Sequence, residues 1–267
     1  MNTALLSNLL LGRTGSGSGQ AYSPLDFPDG LQAYHNILEL STTFTNGAQV
    51  TKVDDLAGNN KHLTNPGTGT GPLWQADHGD GYPALDCSDG TRALVCEAGK
   101  SDWNFMHSGP STAMYLVKSL VDNKSHVLFA TISAIGQGVG RYDYFRQFSA
   151  DAGGRNGSFS CRIRNDTAGV VHCVVPEQKA PKDVWLLIWV VVDNDLCTIW
   201  VNGVPVEHAA IANAFSSSDS TQLPRMFVAI NGVDDRFTGY YRASAFWNRA
   251  LDIDTIAKIS GGVNFGL

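Results

Sequence analysis

The stretch Trp185–Val192, WLLIWVVV, restricts the fold of this chain more than any other segment. It is too short to cross a membrane, and turn-forming residues close it. An unbroken apolar run of this kind fits a central strand buried on both faces. Asp193-Asn194-Asp195 turns the chain, which returns as CTIWVNGVPV (Cys197 to Val206). Within that segment Asn202-Gly203 is a strong hairpin signal, because a type I′ turn needs positive φ at both central positions.

The same pattern continues on either side. Gly30 to Ser41, Ser111 to Val121, Ser125 to Ser133 and Arg225 to Gly232 read as strands. FSCRIR and VVHCVV flank Asn165 to Gly169 as a hairpin, and counting outward from Thr167 sets Cys161 opposite Cys173. Alternation then puts Phe159, Cys161 and Ile163 on one face, with Arg162 and His172 facing outward on the other. A cross-strand disulfide fits that geometry, but the five cysteines are odd in number and form no CxxC knuckle, so packed thiols are expected. Of the 267 residues, 43% are hydrophobic and 16% charged, with 28 glycines, a composition suited to many short strands joined by turns. The net charge of −6, with no basic stripe, argues against nucleic acid as a partner. No run approaches the length of a membrane span, so no membrane partner is expected.

Four fragments, in order, carry a family resemblance. Val53 to Thr64 contains D-x-x-G-N-x-x-H, and Ala84 to Glu97 reads as an Asp-Gly hairpin with Cys87 in place of the usual aromatic. Trp185 to Gly203 gives Trp, a hydrophobic strand, Asp, then Trp-Val-Asn-Gly. Phe237 to Leu251, FTGYYRASAFWNRAL, ends in an aromatic-Asn-Arg-Ala-Leu corner, and Asp252 could cap a short helix through Ile259 that Gly261 stops. Together these resemble laminin-G/pentraxin-like (concanavalin A-like) jelly-roll domains over about residues 30–259. The resemblance implies an all-β, two-sheet antiparallel jelly-roll sandwich, with an extended N-terminal arm at residues 1–28, the jelly roll at 29–267 and a short C-terminal helix.

The chemistry follows by residue type. Glucan-hydrolysing relatives carry acids alternating along one strand, so that both carboxylates meet in one cleft. Here Glu39, Glu97, Glu177 and Glu207 lie in no such pattern, and the Asp clusters fall in turns. No G-x-S-x-G or HExxH occurs. The chain is therefore expected not to be an enzyme, and no cofactor is expected. Calcium candidates are Asp77, Asp80, Asp234 and Asp235, set in no spaced D-x-D-x-D-G loop. Where the family's last strand carries an acid, this chain has Arg242-Ala243-Ser244, which puts a metal there in doubt. A glycan platform would come from loop aromatics with polar neighbours: Trp74 with Asp77 and His78, then Tyr82, Trp103, Tyr142 and Tyr144. Trp185, Trp189, Trp200 and Trp247 fall on strands and read as core.

The amino terminus has no basic n-region and no small-x-small cleavage site, so it reads as a retained arm. Leu5, Leu6, Leu9, Leu10 and Leu11 precede a linker-like GRTGSGSGQ tract. Arm, acidic lectin-like body and missing catalytic dyad together resemble bacteriophage virion proteins. They imply a decoration, tail or fibre component, made in the host cytoplasm and located in the virion. The arm would bind other virion proteins, copies could self-associate, and the body could touch cell-surface glycans. The alternatives are a polysaccharide-degrading glycosidase and a free-standing secreted lectin.

Overall fold

The computed structural model describes residues 22–40, 44–67, 71–121, 126–132, 139–146, 158–164, 170–174, 179–194, 196–210, 215–228 and 236–262. Leu5, Leu6, Leu9, Leu10, Leu11, Asp234 and Asp235 lie outside them. Two antiparallel sheets face each other. The first runs, in spatial order, β14 (Val204–Ala210), β13 (Leu196–Val201), β12 (Trp185–Asp193), β7 (Ser111–Ser119), β16 (Gly239–Trp247), β5 (Ala84–Asp86) and β4 (Leu73–Gln75), with β1 (Leu31–Asn36) pairing the later part of β16. The second runs β11 (Val170–Val174), β10 (Ser158–Arg164), β9 (Gly140–Arg146), β8 (His126–Ala130), β15 (Arg225–Met226), β6 (Leu94–Cys96), β3 (Leu63–Thr64) and β2 (Lys52–Val53). Two α-helices, α1 (Phe105–Ser108) and α2 (Ile253–Gly262), and three short 3-10 turns (Pro24–Asp26, Ile37–Glu39 and Ser101–Trp103) complete the described elements. This is a concanavalin A-like jelly-roll sandwich.

The apolar run at Trp185 occupies the middle of the first sheet for a physical reason. Leu186, Ile188, Val190 and Val192 enter the core between the sheets. Leu187, Trp189 and Val191 enter a second cluster on the outer face, where Ile256 and Ile259 of α2 cover them. A strand with apolar layers on both sides has no polar face to alternate. Its hairpin closes at Asn202 and Gly203, with φ of 50° and 76°, the left-handed pair a type I′ turn demands. Asp252 caps α2, its carboxylate accepting from the Thr255 amide at 2.7 Å, and the helix continues through Gly262 rather than stopping at Ile259.

The β10–β11 register sets Cys161 opposite Cys173 and Arg162 opposite His172, and Phe159, Cys161 and Ile163 face the inter-sheet core. Arg162 nonetheless is 8% exposed rather than solvated. Two expectations are corrected. Ala84–Asp86 and Leu94–Cys96 do not form a hairpin: they belong to opposite sheets, because the seven residues between them cross the sandwich edge instead of reversing within one sheet. Arg225 to Gly232 contributes only the two-residue β15 among the described residues. Residues 22–28, the last part of the expected arm, pack on the body: Phe27 lies against the outer cluster and its carbonyl accepts from Trp247 Nε1 at 3.1 Å.

The D-x-x-G-N-x-x-H segment is a self-contained loop. The buried Asp55 carboxylate accepts from the amides of Tyr34, Ala57, Asn59 and Lys61. His62 Nδ1 accepts from the Asp55 amide, and Asn59 Nδ2 donates to Leu31 and Gln32 carbonyls. One carboxylate thus closes a turn and fastens it to β1, so its acid is structural.

A candidate functional site on the outer face of the first sheet

The site begins with a β-bulge. Tyr240 and Tyr241 pair Lys118 and Val117 on β7, but Ala243 pairs Leu116, leaving Arg242 as the extra residue. A bulge re-aims its side chain and bends the strand. Arg242 lies over the outer face and is fully buried. Tyr240, Lys118 of β7, Trp185 of β12 and Asp86 of β5 flank it through cross-strand register.

The loop after β4 folds over this arginine. Arg242 Nη2 donates to both Asp80 oxygens at 2.5 and 2.6 Å and to the Tyr82 carbonyl, while Nε donates to the Pro83 carbonyl. Its guanidinium carbon sits 4.0 Å from the Trp185 ring centroid and 5.6 Å from that of Tyr82. A charge removed from water needs such a full set of partners. Burial alone raises the Asp80 carboxyl pKa; the Arg242 hydrogen bond, the Tyr82 amide and the guanidinium charge outweigh it and hold the group below its usual value.

His78 is the second fixed point. Its ring lies 3.7 Å from that of Tyr240 and meets Trp185 edge-on at 5.8 Å. Gln75 Nε2 donates to Asp86 at 2.7 Å, which turns Gln75 Oε1 toward His78 Nδ1 at 3.2 Å. The amide oxygen can only accept, so Nδ1 carries the proton and Nε2 keeps its lone pair. Nε2 has no partner. Burial, then the charges of Lys118 and Arg242, lower the His78 pKa and keep the ring neutral.

The expected site residues divide. His78 and Asp80 are drawn to Arg242. Asp77 turns back on its own loop, its carboxylate accepting from the Gly79 and Gly81 amides. With Asp77 spent on its turn and Asp80 on Arg242, this loop is a poor calcium seat, and no group of three or more metal-ligating side chains occurs among the described residues. Trp74 belongs to β4, not to a loop; it packs against the inter-sheet core with Phe44 at 5.7 Å, on the opposite face from Gln75. Trp103 is fully buried against Phe129 and Phe246, so its ring is closed to any ligand. Tyr142 and Tyr144 sit on β9, 1% and 4% exposed, on the second sheet. Alternation had not distinguished Trp185 from core tryptophans, yet it is half-buried over Arg242, unlike Trp189 and Trp247. Tyr240 and Lys118 are legible in the sequence only as strand residues, and Arg242 only as a departure from the family pattern, because their meeting needs β16 and β7 in register.

A family model described as the concanavalin A-like lectin/glucanases superfamily matches residues 117–257, just over half of the chain. The chain belongs to this superfamily. The matched segment carries Lys118, Trp185, Tyr240 and Arg242 of the candidate site, while the Asp77–Pro83 loop precedes it. No curated protein matches the sequence. Among solved structures, the chain is similar to the receptor-binding domain of botulinum neurotoxin D, at 11% identity and TM-score 0.58, covering 88% of this chain and 53% of that one. It is also similar to botulinum neurotoxin type C, in a structure concerned with cell entry dependent on two ganglioside molecules, at 10% identity and TM-score 0.63, covering 91% and 53%. A leech intramolecular trans-sialidase matches at 15% identity and TM-score 0.51, covering 89% and 29%. The chain thus spans about half the length of the toxin chains, and at these identities the likeness is one of fold.

Proposed function

We propose that this concanavalin A-like domain is a non-catalytic glycan-binding module whose sugar seat is the Trp185–Tyr82–His78–Tyr240 patch. One observation carries the reading: four half-buried rings gather beside a guanidinium locked by Asp80, with an unfilled acceptor at His78 Nε2 in their midst. Sugars lay C–H faces on aromatic rings and use hydroxyls as both donor and acceptor, which suits rings bordered by Lys118 and Asp86. A hydrolase reading is disfavoured by the same geometry, since the Asp80 carboxylate is tied to Arg242 and Asp86 to Gln75, leaving no acid–nucleophile pair there. Neighbours of this fold include toxin receptor-binding domains, and entry of one depends on gangliosides, which agrees with adhesion.

The finer reading places the module in a virion, tethered by residues 1–28 to other particle proteins, several copies raising avidity. It rests on the leucine and Gly/Ser sequence of the arm. A glycan array followed by titration tests the seat. Trp185→Ala should weaken binding at least tenfold while Trp74→Ala leaves it within twofold. No glycan binding, or binding indifferent to Trp185→Ala, would remove the proposal, as would polysaccharide turnover. Deleting residues 1–20 tests the tether: normal incorporation of the shortened chain into particles would end that part of it.

A further inference from the structure

A groove opens on the outer face of the first sheet, at the end of β12 away from Trp185. Val191, Leu196 and Trp200 of β12 and β13 form one bank, and Leu251, Ile253 and Ile256 around the start of α2 form the other, with Asp193 among the lining residues. Its volume is about 180 Å³. A dry cavity of about 150 Å³ already takes a benzene-sized group, so there is room here for a leucine side chain. The floor is buried, with Val191 and Trp200 each 8% exposed, but the lips are open: Leu196 is 45% and Ile253 41% exposed. Two large apolar side chains thus face water across an apolar floor, and a chain segment laid between them would cover both.

The N-terminal arm joins the body beside this groove. Phe27 packs on the outer cluster that contains Val191, Trp200, Leu251 and Ile256, and the Tyr22 ring lies 5.8 Å from that of Phe27. Trp247, which donates to the Phe27 carbonyl, stands in register with Thr112 of β7, and Thr112 with Val191 of β12. Two strand spacings, about 10 Å, therefore separate the arm's anchor from the groove wall. Gly12 to Ala21, ten residues rich in Gly and Ser, have a root-mean-square span of about 16–19 Å, enough to bridge that gap. The chemistry matches as well. Residues 1–21 hold five leucines, one arginine and no acid, while Asp193 lines the groove and the exposed Asp252 and Asp254 flank Ile253. An apolar floor with an acidic margin suits an apolar segment that carries no negative charge.

We propose that this groove seats the chain's own N-terminal leucines, Leu5 to Leu11, so that Leu196 and Ile253 close over them. In a helical reading Leu5, Leu6, Leu9 and Leu10 fall on one side, the spacing with which apolar anchors enter a groove. A short flexible linker holds them at an effective concentration on the order of millimolar, which favours their own groove over that of a second copy. Binding of the arm to another particle protein then begins with its release from the groove, so the tether and this docking are tested apart. The glycan seat at Trp185 plays no part in it.

The test uses the full chain. By hydrogen exchange, the amides of residues 5–11 should exchange at least tenfold more slowly than in a free peptide of residues 1–13. Leu196→Asp, a change at an exposed lip, should return them to the peptide's rate. Cross-linking gives a second measurement. Leu9→Cys with Leu196→Cys should form a disulfide within one chain, under mild oxidation, at least tenfold faster than Leu9→Cys with Val184→Cys. Val184 is as exposed, at 44%, but lies at the far end of β12. Exchange at the peptide's rate in the unaltered chain would overturn the proposal, as would protection untouched by Leu196→Asp or cross-linking no faster at position 196 than at 184. A cross-link that joins two chains would also overturn it, since the occupant would then be a second copy.

Discussion

At the scale of single residues, the clearest physical commitment is His35. Its Nε2 lies 2.8 Å from the Lys61 carbonyl, so it must donate there, leaving Nδ1 to accept from the Ser244 hydroxyl at 3.2 Å. Tyr241 OH completes the chain by donating to Ser244 Oγ. A second proton on Nδ1 would remove the acceptor that Ser244 uses. Full burial accordingly lowers the His35 pKa to about 4, against smaller opposing effects of the Lys61 carbonyl and Asp55. The unfolded chain takes up a proton near pH 6.5 and the folded one does not until about pH 4. Stability is therefore complete above pH 6.5 and falls as pH drops through that window, by on the order of 3 kcal/mol from this group. Urea titrations from pH 7 to 4 should show this loss, and an imidazole that titrates near 6.5 in the folded protein would contradict it. Arg242→Gln makes the companion case: leaving Asp80 without its cation and Trp185 without its stacked guanidinium should cost about 3 kcal/mol and shift Trp185 fluorescence.

Elements are positioned here by backbone contact as much as by side chains. Gly239 in the FTGYY segment opens β16 beside Lys118, and a Cβ there would lie 2.2 Å from the Lys118 carbonyl oxygen and 2.7 Å from the Phe237 ring. Neither obstacle is the loose end of a flexible chain, so β16 and β7 must part to admit a methyl group. Gly239→Ala should destabilise by about 2 kcal/mol and displace Lys118 and Tyr240 with the strand. Thermal unfolding measures the first effect, and glycan affinity the second. An unchanged Tm would show that the two strands are not held this closely.

For the whole molecule, a polar bridge joins the two sheets through the core. Tyr115 of β7 donates to Asp143 of β9 at 2.6 Å, Arg141 Nε donates to both Asp143 oxygens at 3.0 Å, and Arg141 Nη1 reaches Ser111 Oγ at 3.3 Å. All four residues are fully buried. Removing one charge strands the other, so Asp143→Ala should cost about 3–5 kcal/mol in denaturant unfolding. Replacing the group together, Arg141→Met with Asp143→Leu and Tyr115→Phe, should recover most of that loss. If the single variant costs under about 1 kcal/mol, the bridge does not bind the sheets.

The sequence alone determined what is local. Continuous hydrophobicity at Trp185–Val192 fixed a doubly covered strand, Asn202-Gly203 fixed its turn, and counting from Thr167 set Cys161 against Cys173, because period and turn conformation act over a few residues. Sheet membership was decided elsewhere: Ala84–Asp86 and Leu94–Cys96 look like partners along the chain, yet lie in opposite sheets. Alternation tells which side chains share a face but not which strand lies beside it. For the same reason Arg242 showed itself as a departure from the family pattern, while its partner Asp80, 162 residues away, did not. The fate of a buried charge depends on what the crossovers bring to it, and that is a property of the assembled sandwich.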